Sequence, residues 1–213
     1  MAAALVARGA PVLIDLHCHT QPLSACSSLS PAELARLARA AGLDAVCLTE
    51  HDRLRPADEL RALSDECGLL LLRGMEVTTE LGHVLVFGLD TVPPDLFLAA
   101  ALRRHVDAAG GLMVLAHPAR PGQPTVDLSR AGRLFDAVEG INGSDSGAQN
   151  AVATRLGAAL SLSPVGGSDC HAPREVGTAA THLERPVTSE AELIEELRRG
   201  RHRAVDLRRL GAK

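Results

Sequence analysis

The chain has 213 residues, enough for one sizeable core or at most two small domains. Apolar residues make up 46% of it, so a core can be buried, yet there is no Trp or Tyr and the Phe residues are Phe87, Phe97 and Phe135. A net charge of -4 and this lack of aromatics exclude a broad basic surface and a stacking platform for single strands, and leave room only for a local basic rim round a site.

The five cysteines, Cys18, Cys26, Cys47, Cys67 and Cys170, are odd in number and scattered, with no Cys-x-x-Cys pair. That is not a disulfide framework, and it points to a reducing cytoplasm. The stretch from Met1 to Arg8 is too short for a secretory signal and carries its charge on the wrong side. No apolar run approaches the ~20 residues of a membrane span. With no repeat, low-complexity tract or linker, residues 1–213 are expected to form a single domain with its core over about 12–205.

In chain order, Pro11-Val12-Leu13-Ile14 reads as a buried strand, followed by Asp15-Leu16-His17-Cys18-His19-Thr20. After a polar loop over 20–29, Ser30 caps a helix with Pro31 at its first position and Glu33 completing a capping box; Gly42 ends it. Ala45–Leu48 is a second strand with Thr49-Glu50-His51-Asp52 at its end. A helix over 56–66 stops at Gly68, and Leu69–Met75 is a third strand ending at Glu76. Gly82-His83 leads into a strand over 84–87, and Pro93-Pro94 opens a helix that Gly110-Gly111 ends. Leu112–Leu115 is a strand followed by Ala116-His117-Pro118. A short helix over 128–134 precedes a strand over 137–141 that ends at Asn142. A helix over 147–160 and a short strand at Pro164-Val165 lead to Gly166-Gly167-Ser168-Asp169-Cys170-His171. Ala179–Leu183 is the last expected core strand, and Ser189 with Glu192 forms a second capping box before a helix that stops at Gly200.

Strand, loop and helix repeat about seven times, the pattern of a parallel sheet with crossover helices, either closed or open. His17, His19, His51, Glu76, His117, Asp169 and His171 all fall at or just past strand C-terminal ends. In a parallel barrel those ends share one face, where active sites sit, whereas the outer strands of an open sheet are too far apart. The expected fold is therefore α/β, a small distorted (β/α) barrel. Imidazoles two residues apart suit a divalent ion, imidazole being the commonest neutral metal ligand. Strand alternation points Cys18 away from its flanking histidines, and Cys170 likewise, so both are expected to be buried and inert. His105 sits among mid-helix charges and is read as surface; His182 and His202, far from the motifs, are read as structural.

His17-x-His19, Thr49-Glu50-His51, Gly74-Met75-Glu76 with Gly82-His83, Ala116-His117-Pro118 and Gly167-Ser168-Asp169-Cys170-His171 occur together in the order and spacing of one family. In these motifs the chain resembles the PHP family, named for polymerase and histidinol phosphatase, over roughly residues 12–205. The resemblance implies a distorted seven-stranded TIM-like barrel with a two- or three-metal centre, of zinc, manganese or iron, that hydrolyses phosphoesters. By position, it implies that His17, His19, Glu76 and Asp169 hold one ion, Glu76, His83 and His117 a second, and His51 and His171 a third, with Glu76 bridging.

There are two departures. Many members carry Thr-Asp-His where this chain has Thr49-Glu50-His51. The loop after the first motif lacks the Asp or His that often adds a ligand to the third ion, and the position falls on Cys26, a thiol that would favour a softer ion.

The chemistry implied is metal-activated hydrolysis without a covalent enzyme intermediate. Glu76, Asp169 and His171 serve it directly, and Asp52 or His171 is the candidate to protonate the leaving alcohol. Arg120, three residues past His117, and Arg174, three past His171, are candidate phosphate grips, with Asn142 a candidate hydrogen-bond donor on the same face. The leading expectation is a phosphatase for a small phosphorylated substrate. The interval from Glu76 to His117 leaves no room for a cap domain, so a nuclease or nucleotide phosphoesterase is the alternative. Further readings are a non-catalytic metal-binding module and a metal-dependent C–N hydrolase. Oligomeric state is not legible.

Overall fold

The computed structural model describes residues 12–124 and 128–209. Pro11, the segment from Met1 to Arg8, and residues 125–127 of the loop after His117 lie outside the described residues. Among the described residues nine strands form one sheet: β1 (Val12–Cys18), β2 (Ala45–His51), β3 (Leu70–Thr79), β4 (Gly82–Phe87), β5 (Leu112–Leu115), β6 (Ala137–Asn142), β7 (Ser163–Gly167), β8 (Ala179–Leu183) and β9 (His202–Asp206). The helices among the described residues are α1 (Pro31–Ala40), α2 (Ala57–Cys67), α3 (Ala99–Ala108), α4 (Leu128–Leu134), α5 (Gly147–Leu160) and α6 (Glu190–Arg198). The sheet order is β7-β6-β5-β4-β3-β2-β1-β8-β9.

The sheet curls until its ends meet. Asp169 N–H donates to His17 O at 2.7 Å and His19 N–H to Cys170 O at 3.2 Å, so the chain leaving β7 is stitched to β1. Asp15 Oδ1 strengthens this seam by accepting the N–H of Ser168 at 2.8 Å and of His17 at 3.1 Å. Gly167 makes the approach possible, since a Cβ there would lie 2.5 Å from His17 Cβ. At the opposite end of the seam β8 wedges in, antiparallel to β1 at Val12–Ile14, while Thr181 Oγ1 clasps the backbone of Gly166. The result is a nearly closed barrel, as expected. Its interior is filled by Ile14, Leu16, Cys47, Leu85, Phe87, Val114 and Val165, and plugged at the base by Leu193, Ile194 and Leu197 of α6. Outside it, α1 and α2 pack on β1 and β2, and α3 packs on β4 and β5.

Several elements differ from expectation. The pattern of strand, helix and parallel strand breaks between β3 and β4, which form an antiparallel hairpin with Glu80 and Leu81 at its turn. β4 is antiparallel to β5 as well, so β3 and β5 still run the same way. This places the start of β4, not its end, on the face that gathers the histidines. β9 was not expected: it is an edge strand without a fully buried residue, and its hydrophobic signal is correspondingly weak. α3 opens at Ala99 instead of Pro93. Ser189 Oγ caps α6, but the carboxylate of Glu192 goes to Thr188, so the expected reciprocal box is absent; Ser146 and Gln149 form one at α5. At α1 Ser30 Oγ accepts the N–H of Glu33 at 3.2 Å, one arm of the expected box. Among the described residues no helix is long and apolar enough to cross a membrane.

Candidate metal centre

Two irregularities in the strands aim the site's side chains. β1 begins with Val12, Ile14 and Leu16 facing the barrel interior. A register shift between Asp15 and Cys18 then breaks the alternation, so that His17 also points inward while Cys18 joins the outer layer under α1. β6 does the same: Glu139 follows Ala137 inward by alternation, and a shift between Glu139 and Ile141 then turns Asn142, three residues on, to the same side. Bulges of this kind re-aim side chains beside active sites. His117 and Asp169, just past β5 and β7, hold backbone φ values of 27° and 54°. Non-glycine residues rarely adopt that region, and strain there clusters at functional sites.

Glu76, buried on β3, is the hub. Its Oε1 lies 2.8 Å from His83 Nδ1 and 2.9 Å from His117 Nε2. Its Oε2 lies 2.9 Å from His51 Nδ1, 3.2 Å from His19 Nε2 and 3.4 Å from His17 Nε2. Asp169 Oδ1 approaches His19 Nε2 at 3.2 Å and His17 Nε2 at 3.4 Å. His171 joins from the rim, its ring stacked 4.4 Å from that of His19. Six imidazoles and two carboxylates thus converge on one space.

Among the described residues, ligand atoms within 4.8 Å of one another form four overlapping groups: His17, His19 and Glu76; His17, His117 and Asp169; Glu76, His83 and His117; and His19, His51 and His171. His17 Nε2, His19 Nε2 and Glu76 Oε2 are buried without a hydrogen-bond partner. Orphaned buried atoms are costly, and these are the lone-pair donors a divalent ion takes. Nitrogen and oxygen donors of this kind suit zinc, manganese or iron. The residues fit the metal centre that the sequence motifs imply.

Without ions, the cluster is held by charge. Burial opposes protonation of His17, but the carboxylates of Asp169, Glu139 and Glu76 outweigh it and raise its pKa well above the ordinary value. Burial alone would raise the pKa of Glu76 and Asp169, yet the charge of His17 beside them lowers both. Burial, with the charge of His19, lowers the pKa of His171. Metal binding exchanges protons for cations in such a cluster.

A second ring of polar groups fixes the first. Arg120 Nε donates to Asp145 at 2.8 Å, and its NH2 donates to Asp169 Oδ2 at 2.8 Å and to Asn142 Oδ1 at 3.1 Å. Arg208, past β9, clasps the backbone of this loop through the carbonyls of Gly143 and Asp145, both at 2.8 Å. On the other side, Glu50 points away from the histidines. It takes the N–H of Thr20 at 2.9 Å and pairs with buried Arg55 at 2.9 Å. Ser24 of the same loop bridges Glu50, His19 Nδ1 and the N–H of His51.

The structure brings His17, His19, His51, Glu76, His83, His117, Asp169 and His171 together. It does not bring in the others alike. Asp52 turns back onto β3, where its Oδ1 accepts the N–H of Thr78 at 2.9 Å. Asn142 is buried with its amide committed: Nδ2 donates to Glu139 and Asp169, and Oδ1 accepts from Arg120 and Ser144. It holds the site's walls and has no hydrogen left for a substrate. The side chain of Arg174 is 85% exposed, beside Glu175. Cys26 is exposed and belongs to none of the four ligand groups. Cys18 and Cys170 are fully buried. Sequence reasoning missed Glu139, Asp145 and the role of Asp15. A buried-strand pattern interrupted by one acid, as in Ala137-Val138-Glu139-Gly140-Ile141, was the available signal.

Comparisons with known proteins follow the same lines. The family model described as PHP domain matches residues 15–141, and the one described as PHP-associated matches 147–202. Over 65 residues, 30% of this chain, it is 37% identical to a protein of Haemophilus influenzae named 5'-3' exoribonuclease, of which the match spans 23%. The structure of PsfC from Pseudomonas syringae superposes with a TM-score of 0.71 at 21% identity, covering 92% of this chain and 91% of that one. A two-domain protein of Bacteroides vulgatus, described as containing a predicted PHP-like metal-dependent phosphoesterase, gives 0.70 at 22% identity, covering 92% and 65%.

Proposed function

The chain belongs to the PHP family, and from that premise we propose that it is a metal-dependent phosphoesterase that hydrolyses a small phosphomonoester. One observation carries the reading. Glu76 is buried with its two oxygens turned toward two different sets of imidazoles, His83 and His117 on one side and His17, His19 and His51 on the other. A carboxylate so placed meets two cations and offsets their repulsion.

His17, His19, Glu76 and Asp169 would hold one ion, Glu76, His83 and His117 a second, and His51 with His171 a third. Such ions supply an activated water and neutralise charge on the phosphoryl oxygens. The protein's own residues set the geometry. Arg120, on the same face and tied to Asp145 and Asn142, offers a guanidinium already oriented for a phosphate oxygen. Arg174, exposed beside Glu175 on the loop after His171, is a second candidate grip. With the third ion absent, His171, on the rim, is better placed than Asp52 to pass a proton to the leaving alcohol, because Asp52 Oδ1 is committed to the β3 backbone.

A nucleotide or nucleic-acid end is the second reading, favoured by the exoribonuclease likeness and by an interval from Glu76 to His117 that the β3–β4 hairpin, α3 and β5 occupy, with no cap domain. The test is phosphate release from histidinol phosphate, sugar phosphates, mononucleotides and a short oligonucleotide, with manganese, iron or zinc, beside a His17→Ala blank. Turnover of a monoester class that disappears in the variant is the expected result. Release from the oligonucleotide alone favours the nuclease. No turnover by metal-loaded protein overturns the phosphoesterase reading in favour of a binding module or a C–N hydrolase.

A further inference from the structure

Glu139 lies on β6, outside every ligand group, yet it touches members of three of them at once. It is 1% exposed. Its Oε1 is 3.0 Å from His17 Nδ1. Its Oε2 accepts the backbone N–H of His117 at 2.9 Å and the Nδ2 of Asn142 at 3.0 Å. Asn142 in turn donates to Asp169 Oδ2 at 3.3 Å. One carboxylate therefore reaches His17 on β1, His117 past β5 and, through Asn142, Asp169 past β7.

The chain makes room for this. The β6 bulge points Glu139 and Asn142 the same way. Gly167 leaves open the space through which the carboxylate meets the His17 ring, for a Cβ there would stand 3.2 Å from Glu139 Oε1 and 2.5 Å from His17 Cβ.

We propose that Glu139 is the positioning residue of the metal centre: it holds His17 with Nδ1 protonated and Nε2 turned to the ions, and anchors His117 in its left-handed turn. This rests on the metal-centre reading above. A histidine's free nitrogen is set by the hydrogen bond the other nitrogen makes, and a carboxylate on that second nitrogen also raises ligand basicity. His17 Nε2 is the orphaned atom this arrangement leaves. The His117 backbone, at φ 27°, is held on the same carboxylate by its N–H.

Glu139→Gln separates charge and acceptor count from size. The amide has one oxygen and one NH2, while both sides of the wild-type carboxylate face donors. Whichever way the amide turns, an NH2 opposes either His17 Nδ1–H or the His117 N–H. The expected result is a variant whose affinity for cobalt or manganese, measured by chelator competition, falls by about 10–100-fold, the usual cost of losing such a partner. The cobalt absorption spectrum should change shape, while the circular dichroism of the metal-free variant keeps the wild-type form. Affinity and cobalt spectrum both unchanged overturn the proposal.

A second measurement needs no variant. In zinc-loaded wild-type protein carrying 15N-histidine, the His17 ring should show a slowly exchanging, protonated Nδ1 and a metal-bound Nε2. A metal-bound Nδ1, or an unprotected one, overturns the proposal while leaving the metal centre standing. Wild-type protein that binds no divalent ion overturns both.

Discussion

Glu76→Gln is expected to lower kcat/KM for the phosphoester by roughly a thousandfold or more. The amide is the same size, so the loss isolates what the second oxygen and the charge contribute. In the wild type, Oε1 faces His83 and His117, and Oε2 faces His17, His19 and His51. A glutamine has one acceptor oxygen and must set its NH2 against one of these two groups. It can bring together only one ion's ligands, and the charge that offsets cation repulsion is gone. Metal ions are worth several kcal/mol of transition-state stabilisation, and each 1.36 kcal/mol is tenfold in rate, which gives the thousandfold figure. Steady-state kinetics with metal analysis of the same samples checks it: fewer ions per chain should accompany the loss. Activity within tenfold of wild type at full metal content would contradict the bridging role.

Arg55→Ala is expected to be the most destabilising substitution outside the ligand set. Arg55 is 2% exposed. It donates from NH2 to Glu50 Oε1 at 2.9 Å, Thr20 Oγ1 at 3.0 Å and Gln21 O at 3.2 Å, and from NH1 to Glu59 at 2.6 Å. Removing it strands the Glu50 charge in the interior. Breaking a buried pair from one side costs about 3–5 kcal/mol. For a chain of this length, that lowers the melting temperature by roughly 10 °C. Neutralising the stranded acid should recover part of the loss, so Arg55→Ala with Glu50→Gln should melt above Arg55→Ala alone. Thermal unfolding of the three proteins tests this, and an Arg55→Ala melt within 2 °C of wild type would contradict it. The same change should loosen residues 20–24, whose Ser24 spans Glu50, His19 and His51.

These two residues show what a sequence does and does not disclose. Glu76, His17, His19, His117 and Asp169 were legible because histidines and acids at strand ends stand out against Leu, Ala and Val, and a barrel gathers strand ends on one face. β5, β8, α4 and α5 also run over the expected residues. Glu139 carried a signal, an acid in a buried strand, but its pairing with Asn142 was not legible, because period-two alternation gives no warning of a bulge. Only the shift between Glu139 and Ile141 brings it and Asn142 to the same side. The same physics moved His17 inward after Leu16. β4 was recognised as a strand but not as antiparallel, although the stretch between Glu76 and Val84 is too short for a crossover helix and so signals a hairpin. Asp52 and Asn142 lie in the expected places along the chain. Their side chains are claimed by Thr78 N–H and by the Glu139 and Asp169 carboxylates, partners that appear only once the barrel closes.

The most direct test of the central claim is to locate the ions. Crystals of the wild-type protein grown with manganese, measured at a wavelength where manganese scatters anomalously, should show one peak among His17, His19, Glu76 and Asp169 and a second among Glu76, His83 and His117, with Glu76 between them. A map with no peak at these residues, or with ions bound only away from Glu76, would contradict the account.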